Sequence, residues 1–172
     1  MSKFVFKHKK TVEQLYSPKE ELAMDAIKTL RNSGDPSVIP YLVDLYVSTG
    51  NPNIENALGN FLRDIKDQSA VNALIDAIAN PRFEQKLSQL VSFCWQTPLN
   101  FSPYIHVFVN IAIEKDYQTA IEAFTVVEEA LPYATPSKIS SEIQHVKERI
   151  TNVPQEKQLL LKELISTMQT YV

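Results

Sequence analysis

Two stretches of this chain, 32 residues apart, are versions of one another. Asp35-Pro36-Ser37-Val38-Ile39-Pro40-Tyr41-Leu42-Val43-Asp44 aligns with Asp67-Gln68-Ser69-Ala70-Val71-Asn72-Ala73-Leu74-Ile75-Asp76. The opening aspartate, the serine, the leucine and the closing aspartate are identical, and the apolar positions agree throughout. A looser third copy lies 34 residues further on, with Ile105, Phe108, Val109 and Asn110 in the places of Val71, Leu74, Ile75 and Asp76. Self-similarity at such a period marks a chain of stacked hairpins, each hiding its apolar face only against its neighbours. Only three of the 172 residues are glycine, which leaves little for the positive φ angles of tight β-hairpins or phosphate-cradling loops.

The spacing between the copies is helical. Ser17-Pro18-Lys19-Glu20 reads as a capping box, with Glu20 reaching back to the cap. Leu22, Ala23, Ala26, Ile27 and Leu30 follow on one predicted helical face. Asp35-Pro36, Asn51-Pro52, Asp67-Gln68, Asn80-Pro81, Ser102-Pro103, Thr135-Pro136 and Pro154 read as further helix starts. With a helix from about Asp116 to Ala130, nine helices are expected over residues 17–172, forming a single all-α domain without a linker. Residues 1–16 are expected to be a partly mobile basic and aromatic arm, carrying Lys3, Phe4, Phe6, Lys7, Lys9 and Lys10. Thr11, Glu13 and Gln14 follow those charges where a signal peptide would have an apolar run, so a cytoplasmic location is expected.

The segment Ile27 to Leu62 contains Leu30, Gly34-Asp35-Pro36, Val38-Ile39-Pro40-Tyr41-Leu42 and Asn51-Pro52-Asn53-Ile54. It resembles the HEAT repeat in its compact bacterial form, over about Leu22 to Cys94. The resemblance implies a right-handed α-α superhelix, a HEAT-like solenoid of about four hairpins of A and B helices with a C-terminal capping helix. It also implies that the B helices line a concave surface and that the chain is a non-enzymatic scaffold for a protein or peptide partner. One departure stands out: Glu55 and Glu84 occupy a position of the A helix where many HEAT repeats carry arginine.

Removing the core positions leaves Tyr41, Asp44, Asn72, Asp76, His106, Asn110 and Glu114 on the outer side of the B helices. Asp44, Asp76 and Asn110 are expected to form a row. With Trp95 and Tyr104 from the loop before the sixth helix, Tyr41, Asp44, Asn72, Asp76, His106 and Asn110 are the expected partner-binding residues. The aromatics of that loop equally suit a plug where regular stacking breaks.

Other chemistry is poorly represented. The net charge is −3 and no basic stripe is present, which disfavours nucleic acid. No run approaches the roughly 20 apolar residues of a membrane-spanning helix. Cys94 is the lone cysteine and falls on a core position, so a small buried hydrophobe is expected rather than a nucleophile. Glu142-Ile143-Gln144-His145 has the ligand spacing of carboxylate-bridged metal bundles but no second copy, and reads as an exposed polar face. No metal and no cofactor are expected. The C-terminal leucine stripe, with Lys157, Lys162 and Glu163 outside it, reads as the cap of the array. Two alternatives stand beside the scaffold: a small acidic inhibitor or toxin-neutralising protein, and a HEAT-like enzyme of the bilin lyase or DNA glycosylase kind. The glycosylase would need a basic groove, against the acidic balance of the chain.

Overall fold

The computed structural model describes residues 3–172, with side chains from His8 onward. The described residues contain ten α-helices and no strand: α1 (Lys3–Leu15), α2 (Glu20–Ser33), α3 (Ile39–Ser48), α4 (Pro52–Arg63), α5 (Val71–Ile78), α6 (Leu87–Gln96), α7 (Ile105–Glu114), α8 (Tyr117–Ala130), α9 (Pro136–Arg149) and α10 (Gln155–Gln169). Short 3-10 turns precede α3, α5, α6 and α7 and follow α8 and α9. Among the described residues the fold is all-α, with successive helices paired in a repeat-like arrangement within each unit described below. The chain gathers into two compact units, one from the residues up to Lys86 with Gln96–Leu99, the other from Leu87–Trp95 and Asn100–Val172.

In the first unit α3 and α4 form a hairpin, α2 packs on α4, and α3 packs on α5. That is the layering of a solenoid, one set of helices on each side. Ala23, Ala26, Ile27 and Leu30 of α2 are buried, as are Ile54, Leu58, Phe61 and Leu62 of α4. Leu22, expected on the same face as Ala23, is 40% exposed. At the end of α2, Gly34 adopts φ +63 and its N–H returns to the carbonyl of Arg31, the left-handed cap that glycine adopts without steric cost. The repeated Asp-x-Ser pairs do identical work. The carboxylate of Asp35 accepts from the backbone N–H and hydroxyl of Ser37, and Asp67 does so from Ser69.

Residues 3–15, expected as an arm, form α1, which packs on α2 and buries Leu15. The side chains of Lys3, Phe4, Phe6 and Lys7 lie outside the described residues. The expected capping box does not form either. Ser17 Oγ accepts only from the N–H of Lys19, and Glu20 reaches forward instead, accepting from the side-chain amides of Asn51 and Asn53 at 2.7 and 2.9 Å. Those two amides hold the Glu20 carboxyl below its ordinary range. Asn51 also caps α4 through its Oδ1, bonded to the N–H groups of Asn53 and Ile54.

The departure at Glu55 acquires a physical counterpart. Its carboxylate pairs with Lys86 at 2.6 Å, and the Lys86 ammonium lies 5.4 Å from the centre of the Tyr46 ring. The hydrogen bond from Lys86 to Glu55 raises the lysine above its ordinary pKa. A link between successive repeats is present, with an acid on the A helix instead of arginine. An Arg31–Asp64 ion pair ties α2 to the end of α4.

In the second unit α7 and α8 form one hairpin and α9 and α10 another, with α7 on α9 and α8 on α10. Phe101 meets Phe108 edge to face at 5.7 Å, a favoured geometry for two buried rings. Two lysines act on the ends of α7. Lys138 of α9 donates to the carbonyls of Ser102 (3.1 Å) and Pro103, just before α7. Lys157 of α10 donates to the carbonyls of Ile113 and Lys115 (2.6 Å), satisfying acceptors that the end of a helix leaves open. Lys157, expected outside the leucine stripe, is only 5% exposed. Burial lowers its pKa, against the opposing pull of Asp116 and Glu114.

Candidate functional site

The repeat places Asp44 and Asp76 at equivalent positions of α3 and α5, and α3 stacks on α5. Tyr41 and Asn72 lie one turn earlier on the same helices. These four side chains line one open groove of about 780 Å³ in the first unit. Tyr16, Pro40 and Phe83 contribute apolar wall, and Asn80 and Arg82 add polar groups.

Asp44 is the organised member. Its Oδ2 accepts from the Tyr16 hydroxyl at 3.1 Å, and its Oδ1 faces Arg82 Nη2 at 3.4 Å. The Tyr16 hydroxyl also reaches the carbonyl of Tyr41 at 3.3 Å. Partial burial raises the Tyr16 pKa, and the adjacent Asp44 charge and hydrogen bond push it the same way. Tyr16 therefore remains a neutral donor that fixes one carboxylate oxygen while the other faces the groove. Arg82 is 76% exposed at its side chain, and its guanidinium lies 5.7 Å from the centre of the Phe83 ring. Asp76 is exposed, and among the described residues no cation is paired with it.

The other four expected residues lie in the second unit. Trp95 is 39% exposed and its indole N–H donates to Glu122 at 2.7 Å. Tyr104 is half-buried at the end of the turn before α7. His106 and Asn110 take part in a polar chain. Both oxygens of Glu142 lie within 3.1 Å of His106 Nδ1, Asn110 Nδ2 is 2.9 Å from His106 Nε2, and Asn110 Oδ1 is 2.7 Å from His145 Nε2. The two imidazole rings are 5.2 Å apart. One arrangement satisfies every contact: His106 Nδ1–H donates to Glu142, Asn110 donates to His106 Nε2, and His145 Nε2–H donates to Asn110.

This corrects the expectation for Glu142-Ile143-Gln144-His145 as an exposed face, because Glu142 is 5% exposed. The fold also brings His145 beside His106. The pair is 39 residues apart in sequence, beyond the reach of any local ligand spacing. Among the described residues, no group of three or more His, Cys, Asp or Glu side chains is arranged to hold a metal.

Tyr16, Arg82 and Phe83 were absent from the sequence reading of the groove. Tyr16 sits before a helix start and carries no periodic signal, and Arg82 follows Asn80-Pro81 as an ordinary first-turn residue. Cys94 is buried, and burial raises its thiol pKa, as befits a core residue rather than a nucleophile.

Residues 9–87 match the family model of HEAT repeats, and the residues that line the groove lie within that stretch. The chain matches no curated protein. Among solved structures it is similar to an engineered protein, at 14% identity and a TM-score of 0.44, covering 94% of this chain and 78% of that one. Among the described residues no helix is long and apolar enough to cross a membrane.

Proposed function

We propose that this chain is a non-enzymatic protein-interaction module that holds an extended segment of a partner protein in the groove between α3 and α5. The observation that carries this reading is the groove itself. Its volume of about 780 Å³ falls in the range of roughly 300–1,000 Å³ typical of binding clefts. Its wall combines aromatic rings with carboxylates and amides, the mixture that gives a peptide both contact area and orientation. HEAT repeats are generally scaffolds for other proteins, and the matched residues contain both helices of the groove. Tyr41, Asp44, Asn72 and Asp76 are the binding residues of this reading. A cytoplasmic setting belongs to it as well, with Cys94 as a free thiol in the core.

The test is affinity capture with mass spectrometry, comparing the natural chain with Asn72→Arg/Asp76→Arg and with Glu128→Arg, an exposed site on α8. The expected result is a partner lost by the groove variant and kept by the α8 variant, with the helical circular-dichroism signal unchanged in both. Equal capture by all three proteins would remove the groove from consideration.

A further inference from the structure

Resting on the groove as the binding surface, we propose that its occupant is an extended peptide segment carrying an arginine, whose guanidinium seats between Asp44 and Asp76. Among the described residues the groove is lined by two carboxylates and one cation, Arg82, so an incoming positive charge meets an excess of negative charge. Asp44 is already positioned for such a ligand. Tyr16 holds one oxygen by a hydrogen bond, which leaves the other directed to a donor in the groove. Asp76, its equivalent one repeat later, has no cation of its own among the described residues.

Arg82 shows what this site accepts. Its guanidinium approaches Asp44 at 3.4 Å and the Phe83 ring at 5.7 Å, a loose contact made by a side chain that is three-quarters exposed. A planar guanidinium beside a carboxylate and an aromatic ring is a combination that arginine satisfies better than lysine. The exposed Arg82 leaves at little cost, because surface ion pairs of this kind contribute little. A ligand arginine takes its place, contacting Asp44 and gaining Asp76 as a second acceptor. Arg82 is thus an internal competitor for the same seat.

The neighbouring wall fits an extended chain on either side of that anchor. Tyr41 and Pro40 line one part of the groove and Ala73 and Ala77 another, so apolar side chains flanking the arginine find contact area without a deep pocket. Stacked helices lie about 8–10 Å apart. An extended strand advances roughly 3.3 Å per residue, so about three residues of the ligand cross from α3 to α5.

The test is an amide-resolved NMR titration of the full chain. The probe is a blocked heptapeptide with one central arginine among alanine and proline, alongside its citrulline, lysine and glutamate versions. The arginine peptide is expected to shift the amides of Tyr41, Asn72 and Asp76. Citrulline, the same shape without charge, should bind about three- to tenfold more weakly, the loss expected for one partly exposed cation with two acids. Lysine should fall between them, and glutamate should not bind.

Asp76→Asn should weaken the arginine peptide about threefold or more, whereas Arg82→Ala should tighten it by removing the competitor. Citrulline or lysine equal to arginine, or a weaker complex for Arg82→Ala, would overturn the assignment. So would the absence of groove shifts. If partner capture still depends on Asn72 and Asp76 in that last case, the groove remains the binding surface and only the arginine is refuted.

Discussion

The buried carboxylate of Glu142 gives the sharpest test of the packing in the second unit. Its side chain is 6% exposed, and both oxygens lie 3.0–3.1 Å from Nδ1 of His106, whose own side chain is 55% exposed. Replacing His106 with alanine leaves a carboxylate largely withdrawn from water without its donor. A hydrogen bond to a charged group contributes about 1.5–3 kcal/mol net, and breaking a fully buried ion pair costs about 3–5 kcal/mol. The exposure of His106 admits water to the vacated side, which places this case at the lower end. We expect His106→Ala to cost about 1–2 kcal/mol in urea denaturation at pH 7. In a Glu142→Leu background no carboxylate remains to be stranded, so the same substitution should cost about 0.5 kcal/mol or less, as at an ordinary surface site. The coupling energy of the double-mutant cycle is therefore about 1 kcal/mol or more. Equal costs of His106→Ala in the two backgrounds would refute the reasoning, because the imidazole would then contribute nothing specific to the buried acid.

Two further predictions concern local features of the chain. Asn51→Ala should cost about 1 kcal/mol by removing the cap of α4, and NMR should show the titration of Glu20 moving back up toward its ordinary 4.5. Because the folded-state pKa of Glu20 is depressed, its contribution is present above pH 4.5 and is lost as the pH falls through the folded value. The acid limb of the natural chain should therefore be steeper than that of Asn51→Ala, and parallel limbs would dismiss the Glu20–Asn51 link. Cys94, 1% exposed with its pKa raised by burial, should resist a thiol-specific disulfide reagent until the chain is unfolded in denaturant. Stoichiometric labelling within minutes under native conditions would show that α6 is not packed as described.

Much of the first unit was legible because its information is local. The Asp-x-Ser pairs at Asp35 and Asp67 close turns within three residues, and the apolar spacing of α2 to α5 needs no knowledge of distant partners. The same locality placed Tyr41, Asp44, Asn72 and Asp76 on equivalent helical faces, and the structure gathers them at one groove. What escaped the reading depends on contacts across many residues. Tyr16 meets Asp44 from 28 positions away, Glu20 passes over its own helix start to reach Asn51, and Lys157 reaches the end of α7 from more than 40 positions away. Helix α1, expected as an arm from its lysine-rich composition, packs on α2, a contact that its own residues do not announce. Residue type also misjudged polarity. Glu142 and Lys157 are in helical register with the buried faces of α9 and α10, and their charges are tolerated there because a donor or acceptor awaits them in a neighbouring hairpin.

The two lysines at the ends of α7 have a consequence for how this array can be rebuilt. Lys138 comes from the following hairpin and Lys157 from its second helix, so each carbonyl cluster is closed by a residue encoded well downstream. Deleting α9 and α10, or splicing in a foreign hairpin after α8, would strip both ends of α7 together. The segment from α7 to α10 therefore travels as one indivisible cassette, although repeat architecture invites its division into interchangeable pairs.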